Sequence, residues 1–287
     1  MGYVTSVLTL IRWPNCILAA LATLVGGYLQ VDGPRQPDLI LMATVIGLLC
    51  GAGNALNDRL DITGDRINHP ERPLPQGDLT LTEASLTALI LAGTGLMLCL
   101  FLTVEALLLA VLTMAALVWY DVRLKRVSIV GNAIVALLGA MAVIAGGVAA
   151  GGDIWQWPGT HFPALLAFLL HFAREMTKDI ADIEGDRVVG FTTFPISRSP
   201  EVALNLASLA ITLMVILTLA PMLYGWYGPA YAYIVVPAVD LPLLVILVAL
   251  HTRSRPSTLR LANAAFKFGL LAGLAALFAG GALQRIS

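Results

Sequence analysis

The sequence predicts an all-α bundle embedded in a membrane, and three observations carry that fold class. The chain of 287 residues is 58% hydrophobic and only 12% charged, with a mean hydropathy of +0.84. Such a composition leaves too little polar surface to cover a water-soluble globule. Its apolar residues gather into stretches that reach the roughly 20 residues needed to span a hydrocarbon core. Between them lie segments rich in Pro, Gly and charge. The length allows one bundle, residues 1–287 as a single domain, without a sizeable extramembrane part, and no nucleic-acid partner is expected.

Nine stretches meet the length requirement, predicting nine transmembrane helices at 13–30, 39–58, 80–103, 105–121, 130–150, 161–180, 201–223, 229–250 and 260–283. The first follows Arg12 and opens on Trp13, Pro14 and Asn15 without a convincing cleavage site, so it reads as a span and not a removed signal peptide. Pro34 to Pro37 separates it from the second. The second ends in the charged run from Asp58 to Gly77, and the third and fourth part only around Thr103 to Glu105. Gly151 to Gly159 closes the fifth, Arg187 to Pro200 divides the sixth from the seventh, and His251 to Pro256 divides the last two. Cys16, Cys50 and Cys99 fall inside apolar stretches with no CxxC pair and read as packing residues.

Orientation follows from the loop cations. With the N-terminus in the cytoplasm, the connections on that side carry Arg59, Arg66, Arg72, Arg123, Lys125, Arg126, Arg187, Arg198, Arg253 and Arg255, against Arg35 and Arg285 opposite. This asymmetry predicts a multi-pass cell-membrane protein with a cytoplasmic N-terminus.

Polar residues at membrane depth are costly and point to function. Asn57-Asp58-Arg59-Leu60-Asp61-Ile62-Thr63-Gly64-Asp65-Arg66 and Lys178-Asp179-Ile180-Ala181-Asp182-Ile183-Glu184-Gly185-Asp186-Arg187 share the pattern D-x-x-D-I-x-G-D-R at the cytoplasmic ends of the second and sixth stretches. On a continuous helix, Asn57, Asp58, Asp61 and Asp65 fall within an arc of roughly 100°, as do Lys178, Asp179, Asp182 and Asp186. Crowded carboxylates need cations, and all-oxygen ligands suit a hard ion such as Mg²⁺ that completes its shell with substrate phosphates. Two such clusters facing one cytoplasmic-side cavity would hold a diphosphate between metal ions. Gly64 and Gly185 are expected to end each helix. The bland alternative is a pair of solvated helix ends.

Arg123, Lys125 and Arg126 could pair with phosphate oxygens or simply anchor the loop. Arg72 sits between Pro70 and Pro73 on stiff backbone and looks positioned, although a merely rigid loop would read the same way. His69, His161, His171 and His251 show no metal-ligand spacing, and Lys267 either snorkels or faces the cavity.

Asn57-Asp58-x-x-Asp61-x-x-x-Asp65, then Asn68-x-Pro70-x-Arg72-Pro73-x-Pro75-x-Gly77, Tyr120-x-x-x-Leu124-Lys125 and Asp182-x-x-x-Asp186 together resemble the UbiA superfamily of intramembrane prenyltransferases over nearly the whole chain. Arg174-Glu175-x-x-Lys178-Asp179-Ile180-x-Asp182-x-Glu184-Gly185-Asp186 is most similar to the archaeal-type members that make digeranylgeranylglyceryl phosphate. Arg59-Leu60 replaces an aromatic pair usual in that group, and Gln76 a serine.

The resemblance implies Mg²⁺ ligation by Asn57, Asp61, Asp65, Asp182 and Asp186, with Asp58, Asp61, Asp179 and Asp182 as catalytic carboxylates. It implies diphosphate or acceptor-phosphate contacts from Asn15, Arg66, Arg72, Arg123, Lys125, Arg174, Lys178 and Arg187. The expected substrates are an isoprenoid diphosphate, geranylgeranyl diphosphate above all, and a lipid acceptor, geranylgeranylglyceryl phosphate. An aromatic or tetrapyrrole acceptor would keep the metal site and change the pocket. An ion-coupled transporter also carries intramembrane carboxylates, but near the midplane on broken helices and not at helix ends.

Overall fold

The structure, a computed structural model, describes residues 2–30, 36–151, 155–252 and 255–284. The loop cations Arg35, Arg253 and Arg285, and the side chain of Arg126, lie outside what is described. All nine predicted stretches are helical along most of their length. Helix α1 (Tyr3–Leu10) meets α2 (Trp13–Gln30) at a 50° bend. Arg12 makes the bend and takes a left-handed φ of 52°, a conformation unfavourable for a residue with a Cβ.

Helix α3 (Gln36–Leu60) gives way to the short α4 (Ile62–Asn68) and α5 (Pro73–Gln76). Helices α6 (Leu81–Cys99) and α7 (Val104–Val122) follow, then a 3₁₀ turn (Leu124–Arg126) and α8 (Ser128–Ala149). The third predicted span is four residues too long at its end, because Leu100 to Leu102 already turn. Thr103 then caps α7 by accepting from the Ala106 N–H at 3.3 Å. Helix α9 (His161–Ala181) runs into α10 (Ile183–Val189) and α11 (Phe194–Ser197). The last spans are α12 (Pro200–Thr218) with α13 (Ala220–Tyr224), α14 (Pro229–Val235) joined through a π turn to α15 (Leu241–Thr252), and α16 (Pro256–Gln284).

Among the described residues, seven spans are long and apolar enough to cross a bilayer, and the bent α1–α2 pair makes up to eight. The remaining predicted span, the sixth stretch, is α9, which is 21 residues long. It carries Arg174, Glu175, Lys178 and Asp179 in its last turns, so its composition is not that of a simple span. Three of those residues, Arg174, Glu175 and Lys178, line the interior cavity.

Helix packing relies on small residues, since lipid offers no hydrophobic drive between helices. A Cβ on Gly26 would lie 2.0 Å from the Val143 carbonyl oxygen, and one on Gly146 would lie 1.9 Å from that of Thr23. Only glycine lets α2 and α8 approach this closely. One core gathers Phe266, Tyr231, Leu243 and Ile211 from the second half, and another gathers Met42, Val45 and Leu49 from the first. Outward-facing Leu89, Phe101 and Val245 are exposed and suit a lipid boundary. Between the helices lies a cavity of about 290 Å³, with walls drawn from α2, α3, α7, α8, α9, α12, α14 and α16.

Candidate active site

The two acidic motifs break their helices at the same place. Helix α3 ends at Leu60 and α4 starts at Ile62, with Asp61 between them; α9 ends at Ala181 and α10 starts at Ile183, with Asp182 between them. The expectation of one continuous helical face per motif is therefore corrected, and so is the place of the break. Gly64 and Gly185 lie within α4 and α10, and Gly185 serves close approach instead. A Cβ on Gly185 would sit 2.4 Å from Asn68 Nδ2, and one on Gly64 would meet Val189 Cγ2 at 3.4 Å. Asn68 uses that proximity: its Nδ2 donates to the Asp182 carbonyl at 2.9 Å, and its Oδ1 accepts from the Gly185 N–H at 3.0 Å. The short helices α4 and α10 pack together, so both motifs stand at one end of the bundle.

Cations thread the first motif. Arg72 Nη1 bridges Asp65 at 2.6 Å and Asp58 at 3.3 Å. Arg12, from the bend, pairs with Asp58 and donates to Asn54 Oδ1 at 3.3 Å. Lys125 pairs with Asp61 and lies 5.6 Å from the centre of the Phe191 ring. Asn57 Nδ2 donates to Asp121 Oδ1 at 2.8 Å. Burial pushes the Asp65 carboxyl above its ordinary value despite Arg72.

The second motif has fewer positive partners. His69 Nε2 lies 3.3 Å from Asp182 Oδ1. Burial works to raise Asp182, yet His69 and Lys178 hold it below the usual carboxylate range. Asp186, raised by burial and by Asp182, reaches about 6. Asp179 accepts from Asn132 Nδ2 at 2.8 Å, and Glu175 is shared by Arg174 at 2.9 Å and Lys178 at 3.6 Å.

Beneath the acidic end, the cavity is polar at its head and apolar below. Of the residues the sequence singles out, Asn15, Asn57, Arg174 and Lys178 line it, together with Arg12, Asp121 and Glu175. Its deeper walls are residues such as Leu138, Leu166, Leu170 and Leu274. Arg66, Arg123 and Arg187 are exposed, and the structure brings none of them to its wall. Arg12, Asn68, His69, Asp121 and Asn132 were not singled out as site residues, although Asp121 and Asn132 carry a usable signal as polar groups within apolar stretches.

Among the described residues no group of three or more His, Cys, Asp or Glu is gathered closely enough to hold a metal ion. The donor set still fits a hard divalent cation. Asp61, Asp65, Asp182 and Asp186 supply oxygen only, and in this structure Arg72, Lys125 and His69 occupy three of those carboxylates.

A model of the UbiA prenyltransferase family matches residues 19–282. The digeranylgeranylglyceryl phosphate synthase of Methanococcus maripaludis strain C5 is 37% identical over 232 residues, covering 79% of this chain and 80% of its own. A structure described as giving insights into the biosynthesis of digeranylgeranylglyceryl phosphate synthase in membranes superposes with a TM-score of 0.73. It is 29% identical and covers 98% of this chain and 99% of its own. A UbiA homolog from Archaeoglobus fulgidus bound to DMAPP and Mg²⁺ has the same fold, with a TM-score of 0.63 at 17% identity, over 95% of this chain and 99% of that one. The chain belongs to the UbiA prenyltransferase family and is a prenyltransferase.

Proposed function

We propose that this enzyme moves a geranylgeranyl group from geranylgeranyl diphosphate to the free hydroxyl of geranylgeranylglyceryl phosphate, a step of ether-phospholipid biosynthesis. The observation that carries the proposal is the joining of two acidic motifs, through Asn68, above a cavity with a cationic head and apolar walls. Relatives 32–37% identical to this chain are digeranylgeranylglyceryl phosphate synthases, and a same-fold neighbour binds DMAPP and Mg²⁺. Membership of an enzyme family removes the ion-coupled transporter from consideration.

Asn57, Asp61, Asp65, Asp182 and Asp186 would hold the metal, and bound Mg²⁺ supplies charge stabilisation to the departing diphosphate. Lys125 and Arg72, which pair with Asp61 and Asp65 at the break in the first motif, would donate to diphosphate oxygens. The allylic C–O bond breaks with its electron pair leaving on the diphosphate, while these two cations meet the charge that develops there. The acceptor's hydroxyl oxygen forms the new C–O bond, and its proton goes to a diphosphate oxygen. Apolar cavity walls hold the prenyl chain and exclude water, which would otherwise trap the allylic cation as an alcohol. The asymmetry of the loop cations supports a cytoplasmic side for this chemistry.

Purified enzyme given geranylgeranyl diphosphate and a panel of acceptors tests the reading. Ether product from geranylgeranylglyceryl phosphate should form faster than product from 4-hydroxybenzoate, homogentisate or chlorophyllide. It should stop in excess EDTA and return with Mg²⁺. A faster aromatic or tetrapyrrole reaction would overturn the acceptor assignment.

A further inference from the structure

Lys267 lies on α16, away from both acidic motifs, and its side chain lines the cavity. Among the described residues no carboxylate stands within 4.0 Å of it, and Arg174 and Arg12, of like sign, line the same cavity. Cations gathered around one largely apolar cavity are unfavourable unless an anion joins them. The rest of the arrangement points the same way. Arg174 Nε donates to Asn263 Oδ1 at 3.0 Å, and Asn263 stands one helical turn from Lys267, so both present to α9. Arg174 is thus tied to the stretch of α16 that carries Lys267, and it shares its single carboxylate, Glu175, with Lys178. Around the cavity wall Arg12, Arg174, Lys178 and Lys267 outnumber the carboxylates Asp121 and Glu175.

We infer that Lys267, with Arg174 fixed by Asn263, forms a second anion subsite inside the cavity that takes the phosphate monoester of the lipid acceptor. This rests on the acceptor proposed above. It separates the two phosphate groups in the reaction: the diphosphate binds at the acidic motifs with Arg72 and Lys125, and the acceptor phosphate binds between α9 and α16. The spare cations let the enzyme distinguish a phosphorylated glycerol lipid from its neutral alcohol.

The test compares wild-type, K267M and K267R enzyme with geranylgeranylglyceryl phosphate and with the same lipid lacking phosphate. Methionine keeps much of the side chain's apolar volume, and Lys267 is exposed and forms no ion pair among the described residues, so the fold should be preserved. K267M should raise the KM for the phosphorylated acceptor about tenfold, change the KM for geranylgeranyl diphosphate by less than about twofold, and erase the preference over the alcohol. K267R should retain most of that preference. An unchanged KM and preference in K267M, with wild type active on the phosphorylated lipid, would overturn the subsite alone. Wild type that prenylates an aromatic acceptor and neither glycerol lipid would overturn the acceptor assignment, and the subsite with it. If inorganic phosphate restored the alcohol's rate in wild type but not in K267M, the site would take free phosphate, and the lipid headgroup assignment would be wrong.

Discussion

The first acidic motif and the second carry the same sequence pattern and the same backbone break, yet they settle their charge differently. Around Asp58, Asp61 and Asp65, cations arrive from distant segments: Arg12 from the α1–α2 bend, Arg72 from the stiff loop, Lys125 from the turn after α7. Around Asp179, Asp182 and Asp186 the partners include neutral or weakly basic groups, Asn132 and His69, beside Lys178 on the same helix. Asp186 accordingly reaches about 6, with burial the largest cause and Asp182 the next. A repeated motif therefore repeats its geometry without repeating its electrostatics. One half is a compact set of ion pairs, and the other has more unbalanced negative charge to offer a metal ion.

If the carboxylates at the two breaks are the heart of the site, the largest effect should come from removing either. Asp61→Ala and Asp182→Ala should each lower kcat by about 10³-fold or more while leaving the fold intact, since transition-state charge stabilisation is lost. Turnover near wild type would reduce both motifs to solvated helix ends. Arg72→Ala should come next, with about 10²-fold lower activity. Removing it also leaves Asp58 and Asp65, whose side chains are 3% and 8% exposed, short of positive charge, at about 3 kcal/mol of metal-free stability. His69→Ala removes a weaker partner and should cost about 1 kcal/mol, so equal losses in chemical denaturation would break the asymmetry between the motifs.

The smallest effects concern the glycines. Gly185→Ala drives a methyl to within 2.4 Å of Asn68 and should cost about 1–3 kcal/mol, because the link between the motifs must shift. Gly64→Ala meets Val189 only at 3.4 Å and should cost less than about 1 kcal/mol. A reversed order of thermal stability would show that α4 and α10 do not pack as described.

Helix positions were legible because apolar length is local information, and so was the pairing of the motifs, written as a repeated string. The break at Asp61 and Asp182 was not, since a helical projection of 57–65 or 178–186 is as regular with the break as without it. Asn68 reaches Asp182 across 114 positions, and no spacing rule signals such a contact. Among the cations, sequence ranks Arg72 and Lys125 ahead of Arg66, Arg123 and Arg187, and the fold ties the first two to the first motif while leaving the other three exposed. Arg12 escaped notice because its role depends on a left-handed bend that places it over Asp58.

The central claim is that the two motifs act as one site on one diphosphate, and a double-mutant cycle on Asp61 and Asp182 tests it most directly. The kcat/KM for diphosphate release from geranylgeranyl diphosphate would be measured at saturating Mg²⁺ for wild type, D61N, D182N and the double variant. Residues acting as a unit lose most of their effect with the first substitution. The double variant should therefore be within about tenfold of the weaker single variant. Losses that multiply across the two positions would contradict a shared site.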